Sequence, residues 1–232
     1  MKTTIIKHIV SVTVIAGVHS CFSQGFINLN FESASIPNGT SSGSAIPISE
    51  GLPGWSAYFS STTGTDQTTQ VIYNGISTGG FFISVIDSNA PVFSPIQGNY
   101  SAFLFGGGDA SPYSATISQT GLVPSGTESV LFDAYESEAS FIVSLGGQNI
   151  EVTALQTFSH YTLYGGNIPS SLAGELETLS FTEPPAAGSP PSFFELDDIQ
   201  FSTSPVPEPS TLALTVLSDL SLFWRWRKRP SL

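Results

Sequence analysis

Between Lys7 and Arg225 the sequence contains no lysine and no arginine. All six basic residues sit at the two ends, as Lys2, Lys7, Arg225, Arg227, Lys228 and Arg229, while sixteen of the eighteen acids lie between Gly25 and Ser204. A body so composed makes no lysine or arginine salt bridge of its own. It is excluded as a nucleic-acid binder, because phosphates require cationic partners, and its natural electrostatic company is cationic. Cysteine is nearly as scarce: Cys21 stands alone, which excludes an internal disulfide. One histidine, His160, falls within the body, so there is no His/Cys cluster of the kind that holds zinc. Helix formers are few beside Ser, Thr, Gly, Asn and Pro, and no useful amphipathic helix stands out. What is present is a series of short apolar runs separated by turn residues, which is the composition of an all-β domain.

The ends carry the address. Lys2 and Lys7 form a positive n-region, Ile9–Val18 a short apolar stretch, and Cys21-Phe22-Ser23 a small-residue cleavage site, so residues 1–23 are expected to be a secretory signal peptide. At the other end Pro205, Pro207 and Pro209 keep residues 204–211 extended as a linker. Residues 212–229 then join an apolar run to the basic cluster, with Trp224 and Trp226 beside it. A membrane span needs about 20 apolar residues; this run is shorter and contains Asp219, a carboxylate costing about 2.5–3.5 kcal/mol at a helix centre. The basic end with its aromatic neighbours reads as a cytoplasmic stop. Positive charge at both ends is topogenic: it stays inside while the acidic middle is exported.

Val206-Pro207-Glu208-Pro209-Ser210-Thr211, an apolar run and an end bearing Arg225, Arg227, Lys228 and Arg229 together resemble a PEP-CTERM protein-sorting signal. The resemblance implies a bacterial protein recognised by an exosortase-type sorting protease and held, at least transiently, in the membrane through its C-terminal segment.

The body, residues 25–203, reads as strands at 26–32, 69–73, 81–86, 100–105, 115–119, 129–135, 141–145, 150–155, 160–164, 176–181 and 193–201. In the run 129–135, Val130, Phe132 and Ala134 share one face. Spacing of this kind predicts a sandwich or barrel. Asn28-Leu29-Asn30-Phe31-Glu32, Leu52-Pro53-Gly54-Trp55, the stretch 118–134 and the closing run 194–201 are similar to the galactose-binding-like superfamily, which includes many carbohydrate-binding modules. That implies an antiparallel jelly-roll β-sandwich, flanked here by an N-terminal signal helix and a short C-terminal hydrophobic helix.

Extended backbone at 193–201 puts Asp197 on a face with Phe193, Ile199 and Phe201, and Asp198 on the other with Phe194, Leu196 and Gln200. If the Ile199 face points inward, Asp197 is buried with no lysine or arginine to meet it. Backbone N–H groups, a proton, His160 or a metal remain as partners. In the superfamily it resembles, an early Glu and a closing-strand Asp often hold a structural Ca²⁺; Glu32 and Asp197 match those positions, with Asp198 as the alternate. Trp55 and Tyr58 are candidates for stacking on a sugar ring, the competing reading being the edge of a core. Gly75-Ile76-Ser77-Thr78-Gly79 matches G-x-S-x-G, with Asp133 and His160 in triad order, but that motif requires a following helix and the sequence continues as a strand. The reading is a non-enzymatic, exported surface or matrix protein of structural or adhesive type. A surface-displayed carbohydrate-binding module that touches extracellular polysaccharide is the alternative, ahead of a secreted hydrolase.

Overall fold

The computed structural model describes residues 24–75, 80–108, 112–137, 141–185 and 192–207. Fourteen strands appear among them: β1 (Ala45–Pro47), β2 (Ser56–Ser61), β3 (Gly64–Thr68), β4 (Gln70–Tyr73), β5 (Phe82–Ile86), β6 (Ser101–Phe105), β7 (Ser114–Leu122), β8 (Ser129–Glu136), β9 (Ile142–Leu145), β10 (Gln148–Ile150), β11 (Thr153–Thr157), β12 (Thr162–Asn167), β13 (Leu176–Glu183) and β14 (Phe193–Ser202). An eight-stranded sheet runs β1-β4-β5-β6-β14-β8-β12-β11, and a six-stranded one β10-β9-β13-β7-β2-β3. The only helical pieces among the described residues are Ile48–Gly51 and the 3₁₀ turn Ser170–Leu172. The protein is therefore an all-β sandwich. The signal and tail segments lie outside the described residues, and among the described ones no helix is long and apolar enough to cross a membrane.

Period-two alternation builds the core. Ala115 and Ile117 of β7, Leu179 and Phe181 of β13, and Val130, Phe132 and Ala134 of β8 all point inward. Phe132 meets Phe181 edge-on across the two sheets, with centroids 5.2 Å apart at 77°. Strands β5 and β6 do not alternate; every residue of both is buried. Their outward side chains form a second cluster of Phe82, Ile86, Phe103 and Phe105, covered by Ala90 and Phe93 of the loop 87–100 and by Phe193 of β14. A strand covered on both faces reads as one continuous apolar run, which is how 81–86 and 100–105 look in the sequence.

Three expectations are corrected. Residues 26–32 form no strand: Asn28 and Phe31 adopt φ of 51° and 56°, and the Phe31 N–H bonds back to the Asn28 carbonyl at 3.4 Å. The cause is local capture by side chains. Asn28 Oδ1 accepts the Ser33 N–H at 2.9 Å and its Nδ2 donates to the Pro53 carbonyl at 3.0 Å, while Gln119 takes both backbone groups of Ile27. The sandwich is also not wholly antiparallel, since β4 and β5 run parallel. Asn74 and Asp87 lock that register reciprocally: Asn74 Nδ2 donates to Asp87 Oδ1 at 2.8 Å and Asn74 Oδ1 accepts the Asp87 N–H at 2.9 Å. Finally, β14 is bulged between Asp197 and Gln200, with Asp198 at φ 43°. Phe194, Leu196, Ile199 and Phe201 all face the main core, so Asp197 lies opposite Ile199, on the outer face with Phe193 and Glu195.

At the C-terminal end of the sandwich the chain stays fastened beyond β14. Ser129 Oγ donates to the Ser204 carbonyl at 2.8 Å. Asn167 then grips Val206 by both backbone groups, Oδ1 accepting its N–H at 2.6 Å and Nδ2 donating to its carbonyl at 3.1 Å. Pro207 is exposed.

Candidate cation site and aromatic hollow

Asp197 is 1% exposed although it sits on the outer face of its sheet, because residues 96–100 fold over it. The Gln97 N–H and the Ser101 hydroxyl both donate to its Oδ2 at 3.0 Å, and the Asp198 N–H donates to Oδ1 at 2.8 Å. Ser101 Oγ in turn accepts the Ile96 N–H at 2.8 Å. Asp133, the register partner of Asp197 on β8, is buried beside it and receives the Gln97 side-chain amide. Glu32 closes the other side: its Oε1 accepts the N–H groups of Asn99 at 2.6 Å and Tyr100 at 3.0 Å, and its Oε2 the Asn99 amide at 2.7 Å. The loop end is thus held down by carboxylates from three separate segments.

The electrostatics follow from burial without counter-charge. Burial pushes Asp197 up to about 7, against the three hydrogen bonds it accepts and with help from the charge of Asp198. Glu195, 2% exposed and two residues earlier on the same face, is pushed by burial up to about 8. Its Oε1 makes no hydrogen bond among the described residues. Asp133 is raised by burial, and Asp198 adds repulsion. For Glu32 the slight burial is outweighed by the Asn99 and Tyr100 hydrogen bonds, and its carboxyl falls below its ordinary value.

Glu32, Asp197 and Asp198 come together around a hollow of about 160 Å³ completed by Asn30, Gln97 and Gly98. Gly98 is required there: its φ is +57°, and a Cβ would collide with Glu32 Oε1. The donor set is carboxylate, amide and backbone oxygen with no imidazole or sulfur, which suits Ca²⁺ and its taste for about six to eight oxygens. Among the described residues no three acidic, histidine or cysteine side chains form a ready-made metal cage. Amide or carbonyl oxygens from Asn30 and Gln97 would have to complete the shell.

The two aromatics expected to stack on sugar are not brought together. Trp55 is in the main core, 4% exposed, packed on Phe31 at 5.6 Å and Phe181 at 6.3 Å, with its Nε1 donating to the Asn28 carbonyl at 3.1 Å. Such a ring has no free face, so its role as a sugar platform is corrected to core packing. Tyr58 is half-buried on β2, on the outward side opposite to inward Ala57. The sorting residues Glu208, Pro209, Arg225, Arg227, Lys228 and Arg229 lie outside the described residues, as does Ser77. Among the described residues, the next element after Gly75 is strand β5, where the nucleophile motif needs a helix.

A different aromatic site is present that the sequence reading passed over. The turn joining β11 to β12 is closed by the Phe158 N–H donating to the Tyr161 carbonyl at 2.8 Å, and the two rings stack at 4.6 Å and 23°. With Tyr135 and Glu136 at the end of β8 they border a hollow of about 260 Å³. Phe158 is 40% exposed and Tyr135 44%. Both hydrophobic rings stand in water, which is where aromatic contact residues are found. The signal was present in Phe158-Ser159-His160-Tyr161, two aromatics bracketing a polar turn.

No family model and no curated protein matches the sequence. Among solved structures, the chain is similar to the carbohydrate-binding module TmCBM61 in complex with β-1,4-galactotriose. The TM-score is 0.42 and the identity 15%, over 78% of this chain and 99% of that one. It is also similar to the apo form of a cyclase from Fischerella sp., with TM-score 0.44 and 14% identity over 76% and 93% of the two chains. At these scores neither likeness carries a ligand or an activity over to this chain.

Proposed function

We propose that this is a non-enzymatic bacterial protein, exported and sorted by its PEP-CTERM-like tail to the cell surface or extracellular matrix. There its jelly-roll-type sandwich serves a structural or adhesive role with a Ca²⁺ ion bound at Glu32, Asp197 and Asp198. The observation that carries the cation is the burial of Asp197, at the hollow it shares with Glu32 and Asp198, in a domain that contains no lysine or arginine. Buried carboxylates without counter-charge cost free energy until a proton or a metal relieves them, and a calcium-rich exterior supplies the metal. The sorting reading, with an exosortase-type protease and the membrane as partners, is supported by the order of proline motif, apolar run and basic end. The test is a melting curve of the full chain at neutral pH in excess calcium and in excess chelator. Saturation at about one hundred times the dissociation constant contributes about 2.7 kcal/mol, so calcium should raise the midpoint by about 5–10 °C. Coincident curves would refute the site.

A second reading, a surface-displayed carbohydrate-binding module, is favoured by one observation, the exposed Phe158–Tyr161 stack beside Tyr135. It is tested by binding of an oligosaccharide panel to the full chain and to Phe158→Ala. Binding that survives unchanged in the variant would remove this face as the sugar site.

A further inference from the structure

From the charge around the aromatic hollow we infer that its ligand is a protonated amino sugar, the ammonium group held by the ring faces and the Glu136 carboxyl while the sugar ring lies on Phe158. This rests on the carbohydrate-binding reading and deepens it. The hollow measures about 260 Å³, just under the ~300 Å³ at which sites for drug-sized ligands begin, and so suits one ring. Every charge that reaches it from the described fold is negative. The charges of Asp133 and Asp198 add to the upward push of desolvation on the Tyr161 hydroxyl, and Tyr164 is raised by burial and by Glu136, whose Oε1 accepts its O–H. Glu136 Oε2 is buried and makes no hydrogen bond among the described residues. His160, at the turn, is the one basic side chain bordering the hollow, and the domain has no lysine or arginine to bring.

A uronic acid or sulfated sugar would therefore meet repulsion and no partner. A neutral sugar would gain ring contact alone. An ammonium gains twice: from the negative faces of Phe158, Tyr161 and Tyr135, and from the charge of the Glu136 carboxyl just beneath the hollow's surface.

Glucosamine oligomers and their N-acetylated counterparts, titrated calorimetrically into the full chain at pH 7, separate these terms. The charged oligomer should bind about tenfold more tightly than the acetylated one. Phe158→Ala, which alters no charge and removes an exposed turn side chain, should cost the charged oligomer about tenfold; this separates the ring from general attraction to an acidic protein. Glu136→Gln should narrow the gap between the two oligomers. Equal affinity for both, lost in Phe158→Ala, would overturn the amino-sugar assignment and leave the carbohydrate reading standing. No binding of either oligomer, or binding untouched by Phe158→Ala, would overturn both.

Discussion

One loop meets the same sheet on two different terms. The first half of residues 87–100 lays Ala90 and Phe93 on Phe103, Phe193 and their neighbours, with Phe93 4.7 Å from Phe103 and 5.0 Å from Phe193. The second half is held by Glu32, Asp133, Asp197 and Ser101 through backbone N–H donors and the side-chain amides of Gln97 and Asn99. The Ala90 and Phe93 packing is apolar area and does not itself depend on pH or ions. The polar half is conditional: its acceptors are buried acids, and their charge must be met by protons or a cation. A single covering segment thus has one anchor made of area and one made of electrostatics.

The comparison breaks most visibly on the apolar side. Phe103→Ala removes a ring that is 1% exposed and should cost about 3–5 kcal/mol, read as a lower unfolding midpoint at every pH and calcium level. Next in size is Asp197→Asn, which keeps the side-chain shape and removes the charge. It should abolish the calcium-induced rise in midpoint; a variant that still responds to calcium as the parent does would move the cation elsewhere. The smallest effect is the pH trend with calcium chelated. Asp197 and Glu195 have folded values near 7 and 8, above their ordinary 3.8 and 4.5. The folded state therefore binds more protons than the unfolded one, and the stabilisation, complete below the ordinary values, fades as pH rises through about 7–8. Glu32 and Asp87 are held below their ordinary values and act oppositely, losing their contribution as pH falls through the carboxylate range. Melting midpoints in chelator should thus decline from about pH 5 to about pH 8. Calcium should flatten or reverse that slope, because it favours the deprotonated acids.

How much of this was legible depended on whether the signal was backbone alternation or side-chain capture. The runs 129–135 and 176–181 alternate and became β8 and β13 as expected. The continuous runs 81–86 and 100–105 became strands buried on both faces. Strands β1, β2 and β3 were missed because Ser, Thr and Gln dominate β2 and β3 and β1 is three residues long. Residues 26–32 have strand composition, yet Asn28 and Gln119 side chains take their backbone groups. Extended backbone put Asp197 on the Ile199 face, to be buried if that face points inward; it is buried on the other face, because a bulge turns the strand over and a distant loop supplies the cover. Glu32, Asp197 and Asp198 do border one hollow, while Asp133 and Gln97 came from segments that no local pattern connects to it. Trp55 looked like a loop aromatic because the sequence does not show that its loop dives between the sheets.

The grip of Asn167 on Val206 has a mechanical consequence. A pull applied to the chain at Pro207 would enter the sandwich at two hydrogen bonds on the end of β12, with Ser129 and Ser204 next in line. That contact is a fuse in series with the closing strand. Breaking it would release only a few residues before the strand that carries Asp197 is loaded.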